Sequence, residues 1–233
     1  MIIVKNKNNE AQFSLISNKL FKESLNSNIK EISLYDEKFD DSYEIKAFIA
    51  DIFYKKYKAQ IKVSYPELMT LIGKNNEILA ALGIRDAKQH GLFLEQYLDD
   101  SIENILSKIY KNKVNRDEIV EIGSLASQKK GMAKFLYIAL SAILKQRKYK
   151  YAIITGTLYL QKYFKKAGLK PRIIGPALRE KLKDQTIDWG SYYETEPKIM
   201  VLDVESGYFI LRLFLGISVT GAITKLYPFI KYE

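Results

Sequence analysis

Two hydrophobic periods divide the chain. Apolar residues at alternate positions, or filling short runs, mark strands, and apolar residues three and four apart mark helices. Residues 1–28 are ambiguous: Ile2-Ile3-Val4 opens as a strand, and Phe13 to Leu25 reads as a short helix. In Ile29 to Leu34, Ile32 and Leu34 alternate with Glu31 and Ser33, which predicts a half-buried strand. Ser42 to Tyr57 predicts a helix. Ser42 is its N-cap, Glu44 lies in its first turn, and Phe48, Ile49, Ile52, Phe53 and Tyr57 share a face. After Pro66, Leu68 to Gly73 and Glu77 to Asp86 read as a hairpin turning at Lys74-Asn75-Asn76. Leu92 to Tyr110 reads as helical from the spacing of Leu94, Leu98, Ile102, Ile105, Leu106 and Ile109.

The next stretch organises the rest. Glu118 to Ser127 is an apolar strand, Gln128-Lys129-Lys130-Gly131-Met132-Ala133 is a glycine turn, and Met132 to Lys145 is a helix burying Phe135, Leu136, Ala139, Ala142 and Ile143. Tyr151 to Thr155 is apolar on both faces, as a central strand is, and Leu158 to Lys166 is a short helix ended by Gly168. Such a strand–turn–helix–strand unit suits anion binding. The first helical turn leaves backbone N–H groups unpaired, its dipole favours negative charge, and glycine lets a phosphate approach the backbone. Beyond it, Pro171 to Ala177 starts a return segment, Trp189 to Tyr193 is an aromatic loop and Lys198 to Val204 is a strand. No internal repeat or linker interrupts the pattern before about residue 206, which suggests one α/β domain over residues 1–206.

Composition narrows the chemistry. The 233 residues contain no cysteine, which excludes disulfides, thiolate metal sites and cysteine nucleophiles. The single histidine, His90, falls in a loop sequence, so a serine–histidine triad or a histidine-rich metal site is discounted and no metal is expected. A formal charge of +10 suits an acidic partner, such as a nucleotide cofactor, an acidic carrier protein or an anionic membrane. Nucleic acid is not expected, because no basic run is interleaved with aromatics as in a recognisable binding module. Met1 to Asn9 lacks the features of a signal peptide, which points to a cytoplasmic protein.

The spacing Gln128-x-x-Gly131-x-Ala133 resembles the pyrophosphate loop of the GNAT acyltransferase superfamily, Gln/Arg-x-x-Gly-x-Gly/Ala. Three segments resemble the thermostable hemolysin family: Glu121-Ile122-Gly123-Ser124-Leu125-Ala126, Leu92 to Leu98, and Trp189-Gly190-Ser191-Tyr192-Tyr193. This similarity runs from about residue 40 to about residue 203. The helix inserted before the glycine-turn strand also resembles acyl-homoserine-lactone synthases, which are GNAT relatives. The resemblance implies a GNAT-like mixed, splayed central sheet flanked by helices. It also implies an N-acyltransferase that moves a fatty acyl group to an amine acceptor. The donor would be a coenzyme A thioester or the phosphopantetheine of an acyl carrier protein. In that reading the backbone of Leu125, Ala126 and Ser127 pairs with the pantetheine arm. The amides around Lys130, Gly131, Met132 and Ala133 take phosphate, beside Gln128 and Lys129.

For the chemistry itself, Glu121 is the first candidate base. It is a carboxylate in an apolar strand, where burial raises a pKa toward neutrality, although an outward glutamate paired with a lysine fits the sequence equally well. The tyrosine that serves many GNAT enzymes as general acid is matched here by Phe164. That leaves Tyr163, turned about 100° away on a helix, with Tyr159 or water, as the substitute. Thr155 and Thr157 are candidate oxyanion donors, with strand capping the plainer role. Trp189, Tyr192 and Tyr193 either close over a substrate or pack on the core. Residues 207–233 form an apolar extension read as closing strands or an interfacial segment, since Arg212 is costly inside a bilayer. This tail supports the alternatives of peripheral membrane contact or a membrane-active hemolysin. A third alternative is a non-catalytic binding module.

Overall fold

A computed structural model of the protein describes residues 2–5, 11–15, 28–36, 42–214 and 230–231. Among the described residues, ten strands form one sheet. They are β1 (Ile2–Lys5), β2 (Ala11–Leu15), β3 (Ile29–Asp36), β4 (Glu67–Gly73), β5 (Ile78–Asp86), β6 (Ile119–Ser127), β7 (Tyr151–Gly156), β8 (Arg172–Pro176), β9 (Lys198–Asp203) and β10 (Ile230–Lys231). Their order is β10-β2-β1-β3-β4-β5-β6-β7-β9-β8. Pairing is antiparallel except between β1 and β3 and between β6 and β7. Among the described residues, five helices flank this mixed sheet: α1 (Ser42–Tyr57), α2 (Ile102–Tyr110), α3 (Ala133–Gln146), α4 (Leu158–Lys166) and α5 (Val204–Phe214).

Strand periodicity assigns the helices to faces. Val120, Ile122, Ala152 and Ile154 point into one core with α3, α4 and α5. Ile119, Tyr151 and Ile153 point the other way and pack on α2, beside the cluster that holds α1. The central strands are therefore apolar on both sides, as the runs Ile119–Ile122 and Tyr151–Ile154 required. Helix α4 ends as expected at Gly168 (φ 80°). Leu169 N–H donates to Phe164 O and Gly168 N–H to Lys165 O, the paired bonds of a Schellman motif.

Three expectations are corrected. Leu92 to Tyr110 is not one helix: a short 3₁₀ segment, Phe93–Tyr97, precedes α2. Leu98 is extended, and Ser101 is the N-cap of α2. The polar run Asp99-Asp100-Ser101 favours a cap over a helix interior. Phe13–Leu15 lies in β2 rather than a helix, and the rest of the stretch to Leu25 lies outside the described residues. The strand alternative for residues 207–214 is corrected as well, since they belong to α5. Asp203 accepts from Ser206 N–H at 2.7 Å and caps its start, while Val204 and Tyr208, four apart, are buried in the core. Residues 215–229 of that segment lie outside the described residues.

Candidate active site

The site begins where two parallel strands part. β6 and β7 pair from Ile119–Tyr151 to Ile122–Ile154 and no further. β6 continues beside β5, but with one extra residue: Gly83 faces Gly123 and Ala81 faces Ala126. The extra residue is accommodated at Ser124, which is left-handed at φ 50°. This bulge bends β6 away from β7 and reverses the side-chain alternation. Leu125 therefore turns to the α3 core, and Ala126 turns toward α1. Past Ile122 the β6 edge has no β7 partner, which leaves backbone donors and acceptors for a ligand.

A cleft of about 350 Å³ fills the splay, a size usual for a small-molecule site. It passes from α1 (Ile52, Phe53, Lys56, Tyr57) through the β6 edge (Ile122–Leu125, Ser127) to α3 (Ala133, Lys134, Tyr137). Thr155 to Thr157 at the end of β7, Tyr159, Leu160 and Tyr163 of α4, and Tyr192 complete the wall. Among the described residues, its charged lining residues are Lys56, Lys129, Lys130 and Lys134, with no carboxylate. Lys56 Nζ lies 5.0 Å from the Tyr57 ring and 5.3 Å from the Tyr159 ring, spanning from α1 to α4 at the rim.

The glycine turn forms one side of the mouth. Gly131 is left-handed (φ 92°), and a Cβ there would meet nothing within 4 Å. Glycine is needed for the backbone conformation, and the space over it is open. Gln128 N–H is held by Leu79 O at 3.0 Å, and Ser127 Oγ donates to Lys129 O at 2.8 Å. Helix α3 starts immediately after the turn and has no side-chain cap. An uncapped first turn beside lysines is an electrostatically favourable place for an anion.

A sequence profile of the family described as Thermostable hemolysin matches residues 35–208. The chain belongs to the thermostable hemolysin family. No curated protein matches it in sequence. The solved structures it resembles include the acyl-homoserine-lactone synthase LasI, at 16% identity and TM-score 0.54, covering 82% of this chain and 98% of that one. FeeM, an N-acyl amino acid synthase from uncultured soil microbes, matches at 13% identity and TM-score 0.51, covering 78% and 99%. BjaI, a coenzyme A-dependent lactone synthase solved with SAM and isopentyl-CoA, matches at 12% identity and TM-score 0.51, covering 81% and 90%. At these identities the likeness establishes the shared GNAT-like fold. Among the described residues of this hemolysin-family protein, no helix is long and apolar enough to cross a membrane.

Of the residues anticipated for the site, Leu125, Ser127, Lys129, Lys130, Gly131, Ala133, Thr155 and Tyr163 line the cleft. Gln128 belongs to the same turn. Met132 packs against the core under α3, and Ala126 is buried on the α1 face. Phe164 is fully buried while Tyr163 is half-buried and reaches the cleft, as their offset around α4 requires. Thr155 Oγ1 is buried and has no hydrogen-bond partner among the described residues, whereas Thr157 caps α4. Tyr192 reaches the cleft, while Trp189 stacks within the aromatic cluster, 5.4 Å from the Tyr192 ring and 6.0 Å from the Phe93 ring.

Glu121 is not among the cleft-lining residues. It faces the α2 side, is 2% exposed, and accepts from four donors. Phe93 N–H lies at 2.8 Å, Leu94 N–H at 3.1 Å, Arg85 Nη1 at 3.4 Å and the Tyr65 hydroxyl at 3.5 Å. Burial pushes its carboxyl above the ordinary carboxylate range, against the pull of Arg85 and the two amides. A Cβ at Gly123 would overlap the Tyr65 hydroxyl, so this glycine lets the Tyr65 ring cross β6 to reach the carboxylate. Sequence reasoning missed Lys56, Lys134 and Tyr137. The available signal for the last two was their spacing from the glycine turn: Tyr137 stands one helical turn after Ala133, on the same face.

Proposed function

We propose that this protein is an acyltransferase that takes a fatty acyl group from a coenzyme A thioester and delivers it to an amine. One observation carries the reading: the order of chemistry along the cleft. Lysines and the uncapped glycine turn stand at the mouth, the unpaired β6 edge follows, and an apolar pocket lies beneath. Coenzyme A thioesters present the same order, diphosphate then amide-bearing arm then hydrocarbon. That the fold is shared with a coenzyme A-dependent lactone synthase and an N-acyl amino acid synthase supports an acyl donor and an amine acceptor. In this reading the amides of Lys130, Gly131 and Ala133 receive the diphosphate, and the edge of β6 from Gly123 to Ser127 pairs with the arm. Tyr163 and Thr155 flank the reacting carbon. Glu121 holds the segment beside β6 in place rather than accepting the amine proton.

Calorimetric titration with coenzyme A, dodecanoyl-coenzyme A and an acyl carrier protein tests the donor. Saturable binding of dodecanoyl-coenzyme A, stronger than that of coenzyme A alone, is the expected result. Binding of carrier protein alone would move the donor from coenzyme A to phosphopantetheine. No binding of any of the three to folded protein would remove the donor site altogether.

The lysines allow a separate check. Replacing Lys129 and Lys130 together with alanine is expected to weaken coenzyme A binding about five- to thirty-fold, on the order of 1–2 kcal/mol for two exposed charge contacts. The loss should shrink as salt is added. Affinity for an acyl-pantetheine lacking the nucleotide should not change. Equal losses for both ligands would mean that the lysines do not contact the diphosphate.

A further inference from the structure

The Tyr137 hydroxyl, like Thr155 Oγ1, is an orphaned polar group in the wall of the cleft. The residue is 6% exposed, and its Oη is buried with no hydrogen-bond partner among the described residues. Buried hydroxyls are nearly always paired, and an unpaired one costs about 1–3 kcal/mol. The ring is held in place by Phe164, edge-on at 5.4 Å, and by Tyr163 at 5.7 Å.

Its position gives the orphaned group a use. Tyr137 lines both the lysine-rimmed cleft and an adjoining pocket of about 50 Å³. Ile122 and Ile154, the last paired residues of β6 and β7, also line both spaces. The pocket is walled by Leu140, Leu144 and Phe164 and presents almost only carbon. In an acyl thioester the change from polar arm to hydrocarbon occurs at the thioester itself. The junction of the two spaces is therefore where a thioester carbonyl would lie, beside a donor that has no acceptor among the described residues.

The geometry points to the Tyr137 hydroxyl as the hydrogen-bond donor to the carbonyl oxygen of the acyl donor, making Tyr137 a catalytic residue of the oxyanion-hole kind. This deepens the donor-site reading above and rests on it. When the amine nitrogen bonds to the thioester carbon, the carbonyl π electrons move to oxygen, and the negative oxygen accepts more strongly from the phenol. On collapse the carbonyl re-forms and the carbon–sulfur bond breaks, its electron pair staying on sulfur. The proton lost by nitrogen ends on that sulfur as free thiol. Tyr137 keeps its own proton throughout. Burial, with Tyr163 and Tyr159 nearby, pushes the phenol well above its ordinary value, so it remains a donor at neutral pH.

The test uses Tyr137→Phe, which keeps the ring and its contacts, and dodecanoyl-coenzyme A isotopically labelled at its carbonyl. Isotope-edited infrared difference spectra should show a lowered carbonyl stretching frequency on binding to the wild type. In Tyr137→Phe the frequency should return to that of the free thioester, with donor affinity within about twofold of wild type. The melting temperature should hold or rise, because the removed hydroxyl has no partner. With an amine acceptor supplied, turnover should fall about 10²–10³-fold, as for loss of one oxyanion donor. An identical bound frequency in wild type and variant would overturn the assignment and leave the donor site standing. So would a lowered melting temperature, which would show that the hydroxyl has a structural partner. If dodecanoyl-coenzyme A does not bind at all, the donor-site reading itself fails.

Discussion

Gly131→Asp is expected to abolish measurable coenzyme A binding while leaving the protein folded. Two effects add. Aspartate at φ 92° is strained, and such a position costs roughly 1–3 kcal/mol for a residue with a Cβ. The new carboxylate would also stand in the open space over the turn, beside the first turn of α3, where the diphosphate is proposed to sit. Like charges about 4 Å apart repel by roughly 1–4 kcal/mol between bulk water and a protein surface. The electrostatic part alone weakens binding by about fivefold to a thousandfold. Internal overlap is not a cause, because a Cβ at Gly131 meets nothing within 4 Å. Gly131→Ala is thus the informative control: it carries the strain without the charge, and its affinity should fall far less than that of Gly131→Asp. Titration of both variants with coenzyme A, beside their melting curves, separates the two effects. Unchanged affinity in Gly131→Asp would take the diphosphate away from this turn.

Much of this arrangement was legible in the residues, for reasons that are local. The strand–turn–helix–strand unit from Glu118 to Thr155 is marked by periodicity and one glycine, and both act over a few residues. The end of α4 was equally readable, since Gly168 is a C-terminal stop whose geometry belongs to the helix itself. The α1 boundaries followed from the apolar face of the helix, although Ser42, expected as its N-cap, is its first helical residue. What stayed hidden depends on contacts between distant segments. Nothing near Glu121 in sequence announces Phe93 and Leu94, 28 and 27 residues away, whose amides it accepts. A carboxylate in an apolar strand therefore resembles a base awaiting a substrate. Tyr137 is hidden for a similar reason. On a helix rich in apolar residues it reads as core, which its ring is. Only the parting of β6 and β7 makes this residue line a cleft as well. The bulge at Ser124 is equally silent, because neither Ser124 nor Leu125 signals a left-handed residue.

Glu121→Ala is expected to lower the melting temperature more than Gly131→Asp, Tyr137→Phe or the loss of Lys129 and Lys130. Its carboxylate gathers Arg85 and the amides of Phe93 and Leu94, and so joins β5, β6 and the 3₁₀ segment. Arg85 is 9% exposed, and its remaining contacts are Ser64, through the carbonyl oxygen at 2.5 Å and the hydroxyl at 3.4 Å, and the Tyr65 ring at 4.7 Å. Removing the acid leaves the guanidinium buried without its counter-charge, a change that typically costs about 3–5 kcal/mol. At about 2–4 °C per kcal/mol for a chain of this size, the fall is roughly 6–20 °C. Glu121→Gln should fall less, because it keeps the shape and half the acceptor capacity. Coenzyme A affinity, measured well below either melting temperature, should stay near that of wild type, since Glu121 does not line the cleft.

The pH dependence has a definite sign. Because burial raises the Glu121 carboxyl above its ordinary value, the folded protein holds a proton there through a window in which the unfolded chain has lost it. Stability from this group therefore falls as pH climbs from the ordinary carboxylate value to the raised one, and is level above it. Glutamine does not titrate, so the stability gap between wild type and Glu121→Gln should narrow across that window. Denaturant melts of the two proteins at a series of pH values measure it. A gap that widened with pH would mean that Arg85 and the two amides outweigh burial and hold the carboxylate ionised. A melting temperature unchanged by Glu121→Gln, together with lost transfer and intact donor binding, would return Glu121 to the role of proton acceptor.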